Sequence, residues 1–150
     1  MLEQETAGII KFVLEAAGDP TPYYGNVPEG FAVPSAFFPS PDISYQPDSL
    51  SSYGADCCLY IKFFNSSNED AYSMASEVFD CINKAHGMIP LADLSGNPTG
   101  KYIRIKNTAV SKADECAYQL QVDWSSSRPY SWEEAERIQN FYINKEVHGV

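Results

Sequence analysis

The sequence predicts an α+β fold, an α/β sandwich in which two to three helices pack on one mixed, mostly antiparallel sheet of about four to five strands. Residues 69–85 place apolar side chains at helical spacing, as a helix packed on a core does. Residues 101–106 and 117–124 alternate apolar and polar side chains, which is typical of strands with one buried face. Residues 55–64 are rich in cysteine, aromatic and β-branched residues and predict a longer strand.

The predicted helices have recognisable ends. Residues 3–17 are expected to form the first helix. The second, over residues 69–85, has Asn68 as its expected N-cap and Gly87 as its expected C-terminal glycine. A last helix is predicted from Ser131, where Ser-Trp-Glu-Glu matches a capping box. The apolar stripe of the second helix consists of Ala71, Met74, Ala75, Val78, Phe79 and Ile82.

The remaining segments are predicted as short strands and loops. Residues 19–30 contain Pro, Gly, Tyr and Asn and are expected to be irregular. A strand is expected to begin after Pro34, because proline cannot donate to a sheet ladder. Residues 39–53 are interpreted as a long hairpin arm or loop. Residues 88–94 are expected to be extended or irregular, and residues 95–100 to form a turn or mobile loop.

Length and composition predict a single domain over residues 1–150. A chain of 150 residues buries roughly 70% of its unfolded surface, and 44% hydrophobic residues can fill a core. We find no signal-peptide pattern and no apolar run of membrane-spanning length. The cytosol is therefore the expected compartment, and no membrane partner is expected.

The charge balance argues against a nucleic-acid-binding protein. The chain contains ten basic and 20 acidic residues, and its formal net charge is −10. Binding to phosphate backbones requires clustered Lys and Arg, whereas the basic residues here are scattered. An acidic chain instead repels nucleic acid, which suits a path along which DNA slides.

The sequence predicts no catalytic residue, no cofactor and no metal site. The two histidines, His86 and His148, lack the Cys or His neighbours at zinc-binding spacing. Nucleotide-binding loops and hydrolase motifs are likewise missing from the sequence. The cysteines are expected to be reduced, with the adjacent pair on opposite faces of a strand. They are Cys57, Cys58, Cys81 and Cys116.

A polar strand face is the strongest candidate for a functional surface. It combines the polar side of residues 117–124 with the mixed side of residues 101–106. Three interpretations stay open, namely a solvated sheet face, a subunit contact and a small-molecule site. The candidate contact residues on this face and on the flanking loops are Tyr45, Tyr53, Asn97, Arg104, Gln119, Gln121, Arg128 and Tyr130.

The order of elements and several short phrases resemble a known family over roughly residues 5–142. The phrases are Tyr24-Gly25 with Pro28-Glu29, Phe37-Phe38-Pro39, Glu69-Asp70-Ala71, Ile89-Pro90-Leu91, the strand Tyr102–Ile105, the strand Gln119–Trp124, and Arg128-Pro129-Tyr130. Together they are similar to the tail terminator proteins, also called tail completion or neck proteins, of tailed phages and phage-tail-like particles.

The resemblance implies a structural protein without catalytic residues. Such proteins form a homo-hexameric ring on the head-proximal end of the tail tube, stop tube polymerisation and offer a surface to the head connector or neck protein. In contractile tails a similar protein also touches the sheath protein. The chain would then reside in the virion at the tail–head junction, after assembly in the host cytoplasm. Its candidate contact residues would meet neighbouring subunits, the tube or the connector.

Elementary geometry is compatible with such a ring. A 150-residue globule has a diameter of roughly 38 Å, and six of them in a ring leave an opening of about the same width. Duplex DNA fits through that opening. Six copies at −10 each carry formally −60, which disfavours tight binding of the DNA that passes.

Two other interpretations stay open at this stage. The first is a head-side connector or adaptor, because connectors also form rings. The second is a small enzyme or ligand-binding domain. A deep pocket with convergent polar groups and a titratable residue of shifted pKa would indicate the second.

Overall fold

A computed structural model describes residues 2–47, 49–93, 95 and 97–129 of the chain. These residues form two helices and seven strands, so the sheet has more strands than the predicted four to five. The helix predicted from Ser131 lies outside the described residues. The elements are α1 (Leu2–Ala16), β1 (Thr21–Tyr24), β2 (Ser35–Phe38), β3 (Asp42–Pro47), β4 (Ser52–Phe64), α2 (Asn68–Lys84), β5 (Met88–Ala92), β6 (Pro98–Asp114) and β7 (Ala117–Pro129).

The strands form one mixed sheet with β4 and β7 at its centre. Their order is β1-β2-β4-β7-β6-β5. Strands β4 and β7 pair antiparallel along their whole length, from Ser52 opposite Pro129 to Phe64 opposite Ala117. The other edge of β4 is shared by β2 and β3. Among the described strands only β1 and β2 run parallel to each other, so the predicted α+β class and the mostly antiparallel sheet are confirmed.

Two strands differ from the sequence prediction. Strand β1 lies within residues 19–30, which were expected to be irregular. The backbone of β1 pairs parallel with β2, with Thr21 opposite Ser35. Strand β6 continues to Asp114, well past the predicted end at residue 106. Residues 107–114 are mostly polar or small and carry no strong strand pattern. They form a strand because their backbone pairs antiparallel with β7. The hydrogen bonds of the sheet thus override weak local propensity.

Several predicted elements are confirmed with small shifts. Strand β2 begins directly after Pro34, and the predicted hairpin arm is present, since β3 pairs with the first half of β4. Helix α2 buries its predicted stripe, with Phe79 only partly buried. Neither described helix is both long and apolar enough to cross a membrane.

Both ends of α2 differ in detail from the prediction. Ser67, rather than Asn68, is the N-cap, because its hydroxyl accepts a hydrogen bond from the backbone N–H of Asp70 at 3.1 Å. Asn68 instead accepts a 2.6 Å hydrogen bond from the Cys116 N–H and so links the helix to the β6–β7 turn. At the other end the backbone turns left-handed already at His86, with φ 56°, one residue before Gly87.

The core lies between the two helices and one face of the sheet. Alternate residues of β4 and β7 are fully buried, while their neighbours face outward, so Cys57 is buried and Cys58 lies on the opposite face. The buried core residues of the central strands are Ala55, Cys57, Leu59, Ile61, Phe63, Leu120, Val122 and Trp124. Ile9 and Val13 of α1 and the stripe of α2 pack against them, and β2, β5 and β6 add further buried apolar residues.

A carboxylate is buried within this core. Glu5 of α1 is only 6% exposed. Its Oε2 accepts a hydrogen bond from Trp124 Nε1 at 3.3 Å, and its Oε1 accepts one from Ser126 Oγ at 2.6 Å. These bonds tie the first helix to the end of β7 and satisfy polar atoms that water cannot reach.

Candidate interaction surface

The sheet has an outer face that the two described helices leave open. Half-buried side chains of β4 alternate with its core residues, and all of them except Phe64, which faces Ala117, lie opposite a polar residue of β7. Lys62 faces Gln119 and Tyr60 faces Gln121 in this register. The row on β4 is Asp56, Cys58, Tyr60, Lys62 and Phe64, and the row on β7 is Gln119, Gln121, Asp123 and Ser125.

A groove of about 320 Å³ crosses this outer face from β3 to β6. Asp42, Asp56 and Asp123 line it together with Cys58 and Lys106. The Lys106 Nζ atom lies 3.3 Å from Asp56 Oδ1 and forms an ion pair. Three carboxylates therefore share a short stretch of surface with a single described lysine.

The pKa of Asp56 is lowered mainly by the Ser125 hydroxyl, which donates a hydrogen bond to the carboxylate. Desolvation opposes this shift, and the hydrogen bond and charge of Lys106 support it. The Asp56 carboxylate is therefore more stable in the folded chain than in the unfolded chain. This contribution to stability is present above the ordinary pKa of 3.8 and is lost as the pH falls through the lower folded pKa.

Ser125→Ala is expected to raise the pKa of Asp56 toward its ordinary value, because it removes the largest stabilising contact of the carboxylate. Lys106→Met removes a hydrogen bond and a positive charge that both lower this pKa, and it is also expected to raise it. Carbon-detected NMR titration of the Asp56 carboxyl group measures both shifts. An unchanged Asp56 pKa in the serine variant would contradict the assignment.

Cys58 is held in its thiol form. Burial raises its pKa to about 11, and the hydrogen bond and charge of Asp123 and the charge of Asp42 act in the same direction. A hydrogen bond from Tyr60 opposes the shift. At neutral pH the thiolate is therefore scarce, and the thiolate is the nucleophilic form of cysteine.

Cys58 is expected to react with iodoacetamide at pH 8 on the order of 100-fold more slowly than an exposed cysteine of ordinary pKa 9.0 in a short peptide, because only about one thiol in a thousand is ionised when the pKa is about 11. Asp123→Asn is expected to accelerate the reaction by removing a nearby negative charge. Asp114→Asn, at the far end of β6, is the control and should leave the rate unchanged. Mass spectrometry of peptides quenched over time measures the rates at Cys58.

Two exposed apolar patches lie at opposite edges of the sheet. The β3 patch consists of Ile43 and Tyr45 on the edge strand β3. Ile43 is 49% exposed and Tyr45 is 63% exposed. The Tyr45 ring packs at 6.0 Å from the ring of Tyr53 on β4, so the patch continues along the hairpin arm.

The β6 patch consists of Met88, Tyr102 and Arg104. Met88 lies directly opposite Arg104, and Tyr102 lies opposite Pro90 in the pairing of β5 with β6. Met88 is 41% exposed and Tyr102 is 57% exposed. The intervening pair, Ile89 and Ile103, points into the core, so the patch lies on the outer face.

The structure distributes the predicted contact residues over several places. Tyr45 and Tyr53 lie together on the arm, and the backbone of Arg128 pairs with Tyr53. Gln119 pairs with Lys62, nine residues along β4 from Tyr53, which corresponds to about 30 Å.

The other predicted residues have separate locations. Gln121 lies on the outer face and donates to the Asp123 carboxylate at 3.1 Å. Arg104 belongs to the β6 patch. Asn97 lies in the exposed loop before β6, where its N–H donates to Asp93 Oδ1 at 2.9 Å. Tyr130 lies outside the described residues. The eight candidates therefore do not form one site, and their role in contacts stays a prediction.

A cleft of about 660 Å³ lies between the end of α2 and β6. Asn83, His86, Arg104, Lys106 and Asn107 supply its polar lining. No group of three or more His, Cys, Asp or Glu side chains arranged for a metal ion occurs in the described part of the chain.

The pKa shifts of Asp56 and Cys58 disfavour a catalytic role for the outer groove. A lowered carboxyl pKa at Asp56 and a raised thiol pKa at Cys58 move both groups away from the range in which a general base or a nucleophile works near pH 7. These features suit a contact surface better than a reactive site.

Sequence reasoning missed Glu5 and the carboxylate groove. An acidic residue near the start of a helix is normally explained by the helix dipole, so nothing in the local pattern indicates that Glu5 is buried. Asp42, Asp56 and Asp123 are far apart in the chain and meet only through the register of β3, β4 and β7.

Comparisons with known proteins give relatives in Bacillus subtilis, one of them a protein of a phage-like element. The chain is 29% identical over 146 residues to the phage-like element PBSX protein XkdJ of Bacillus subtilis, covering 97% of this chain and 99% of XkdJ. It is 29% identical over 125 residues to the uncharacterized protein YqbJ of Bacillus subtilis, covering 83% of this chain and 86% of YqbJ. No protein-family model matches the chain.

The fold also occurs in a solved particle. A chain of the virion of a native gene transfer agent particle superposes with a TM-score of 0.54 at 12% identity, covering 85% of this chain and 96% of that chain. At this identity the match concerns the fold alone. The chain is thus a near-full-length homologue of a protein of a phage-like element, and the predicted resemblance to a phage tail or neck-type family is confirmed.

Proposed function

We propose that the chain is a structural protein of a phage-type particle and that it acts there as a tail terminator. In this role six copies form a ring on the head-proximal end of the tail tube, stop its polymerisation and join it to the head connector. The sheath protein is a further partner if the tail contracts. Duplex DNA passes through the ring without tight binding, in keeping with a net charge of −10 per chain.

The observation that carries this proposal is the end-to-end match with XkdJ. Because 97% of this chain aligns with 99% of XkdJ, the two proteins have the same extent, and a role of the whole relative can apply to the whole chain. The shared fold with a virion chain supports the same assignment. The open outer face and the two exposed patches give such a protein surfaces for neighbours.

Deletion of the gene for this chain in its host, followed by particle induction and electron microscopy, tests the proposal. Because tube polymerisation then continues without a terminator, we expect tails of irregular, extended length that carry no heads. Expression of the wild-type chain in trans should restore uniform, head-joined tails. Tails of normal length beside detached heads would indicate a head-side connector instead, and normal joined particles would overturn a structural role.

The position of the chain in the particle gives a second readout. Cryo-electron microscopy of wild-type particles should place six copies around the axis at the tail–head junction. Density for this chain at any other place would contradict the tail terminator assignment.

A further inference from the structure

A groove of about 500 Å³ lies between α1 and the end of β1, on the helix side of the sheet. Ile10 and Leu14 of α1 are half-buried in it, and Tyr24 at the end of β1 is 59% exposed. The other lining residues are Ala7, Lys11, Glu15 and Asp19, all of them exposed. The α1 groove is therefore an apolar surface that stays open among the described residues.

Helix α1 is apolar over a wider arc than the sheet covers. Ile9 and Val13 point into the core and are fully buried. Around the helix axis, Ile10 lies about 100° and Leu14 about 140° away from Ile9. A helix that packs on a single layer typically has one apolar stripe of roughly 100°. The wider arc of α1 indicates a second neighbour, on the side of the helix that faces the groove.

The last described strand ends close to the start of this groove. Ser126 of β7 donates a 2.6 Å hydrogen bond to Glu5 of α1, and β7 ends three residues later at Pro129. Three residues of extended chain span about 10 Å. Ala7, the first groove residue, lies only about 3 Å beyond Glu5 along the helix axis. Residues 130–150 therefore begin within reach of the groove.

Helix α1 runs back from the end of β7 toward the start of β7. Its residue Glu5 lies beside the end of β7, as the bond to Ser126 shows. Thr21, which follows α1, is linked through the register of β2 and β4 to Ala117, the first residue of β7. A segment that turns back after Pro129 and lies along α1 would therefore pass over the groove in the same direction as α1.

Residues 131–142 are long enough to cover the groove. They lie outside the described residues, and their sequence predicts a helix that opens with the capping box at Ser131. Twelve residues of helix are about 18 Å long. The part of α1 that lines the groove, from Ala7 to Glu15, spans about 12 Å. One such helix therefore covers the whole groove.

The apolar side of the predicted helix has the same spacing as the groove. The apolar groove residues of α1 are separated by three and four positions and are Ala7, Ile10 and Leu14. The same steps separate apolar residues of the predicted helix, namely Ala135, Ile138 and Tyr142. Residues at these steps lie on one face of a helix. Two such faces can bury each other when the helices lie side by side.

We propose that residues 131–142 form a third helix that packs in the α1 groove of its own chain, with Ile138 beside Ile10 and Tyr142 beside Leu14. This inference goes beyond the proposed particle role and does not rest on it. Packing removes the apolar side chains of both helices from water, which stabilises the arrangement. The short connection after Pro129 favours the chain's own groove over that of a neighbouring copy, because it holds the segment at high effective concentration.

Nuclear Overhauser contacts in the purified full-length chain test the pairing of the two helices. We expect contacts between the Leu14 methyl groups and the Tyr142 ring, and between the methyl groups of Ile10 and Ile138. A mixture of two differently labelled preparations shows whether each contact joins residues of one chain. Contacts that occur only between differently labelled chains would overturn the proposal and assign the groove to the segment of a neighbouring copy.

Hydrogen exchange measured by mass spectrometry tests the stability of the packed helix. In the wild-type chain, amides of residues 135–142 should exchange at least about tenfold more slowly than in an unstructured peptide of the same sequence. Ile138→Asp should abolish this protection, because it places a charge against an apolar groove. Asn140→Asp introduces the same residue on the opposite side of the predicted helix, so it is the matched control and should keep the protection.

Tyr24→Ser tests the groove from its other side. It removes the ring at the end of β1 and should reduce the protection of residues 135–142. Tyr72→Ser, which changes a similarly exposed tyrosine on α2 outside the groove, should leave this protection unchanged. Amides of β4 and β7 report whether each variant stays folded. If Tyr24→Ser loosens the sheet itself, the Overhauser contacts and Ile138→Asp decide the question.

Three exchange results would overturn the proposal. The first is a wild-type chain in which residues 135–142 exchange as fast as the unstructured peptide. The second is protection that survives Ile138→Asp, because the apolar side of the helix would then not be buried. The third is protection that Tyr24→Ser leaves unchanged in a folded chain, because the helix would then pack somewhere other than the α1 groove.

Discussion

Glu5→Ala is expected to lower the free energy of unfolding by about 2–4 kcal/mol. The carboxylate is buried and accepts hydrogen bonds from the indole N–H of Trp124 and the hydroxyl of Ser126. Alanine leaves both donors without this acceptor in a region that water cannot reach, and it also opens a small void beside the largest core side chain. Chemical denaturation followed by tryptophan fluorescence measures the loss.

Glu15→Ala is the matched control, because Glu15 lies on the same helix but is exposed. Its effect should stay within about 0.5 kcal/mol. A double-mutant cycle with Trp124→Phe, followed by circular dichroism, isolates the bond between the carboxylate and the indole. We expect a coupling energy of at least about 0.5 kcal/mol. Equal stability losses for Glu5→Ala and Glu15→Ala would show that the buried carboxylate contributes nothing to folding.

Gly87→Ala is expected to destabilise the fold by about 2–4 kcal/mol, for two reasons that act together. The backbone at Gly87 is left-handed, with φ +73°, and a Cβ atom there would lie 2.8 Å from the carbonyl oxygen of Ile105. That carbonyl cannot move away easily, because the Ile105 N–H donates a 2.7 Å hydrogen bond to the Gly87 carbonyl. The midpoint of urea denaturation reports the loss.

Gly18→Ala separates the two reasons. Gly18 is also left-handed, with φ +82°, but a Cβ atom there meets nothing within 4 Å. Its substitution should therefore cost only about 1–2 kcal/mol, the cost of the backbone conformation alone. If both alanine variants lose the same stability, the close approach of Gly87 to β6 is not important for the fold.

The class of the fold was predictable because it depends on side-chain periodicity. The stripe of α2 and the alternation in β4 and β7 are strong enough to identify each element from its own residues. The weaker strands were not predictable in this way. Strand β1 and residues 107–114 of β6 owe their strand conformation to hydrogen bonds with β2 and β7, which no local pattern reveals.

The candidate surface was predictable only in part. The outward direction of Gln119, Gln121 and Asp123 follows from the alternation in β7 and is confirmed. Its combination with Asp42 and Asp56 depends on register, because these residues come from three separate strands. The choice of Ser67 over Asn68 as N-cap depended on the Cys116 N–H, which draws the asparagine side chain away from its own helix.

The pattern of one strand, one helix and two further strands over residues 55–124 therefore determined the fold class. It also determined which side of each element is apolar and which is polar, because the spacing of apolar residues within a helix or strand is a property of the local sequence. Only the tertiary structure decided which polar sides meet. It brought three aspartates to one groove, buried Glu5 against Trp124, and placed two exposed apolar patches at opposite edges of the sheet. The physical reason is that strand order and register join residues that are distant in sequence, and neither is encoded in the local alternation.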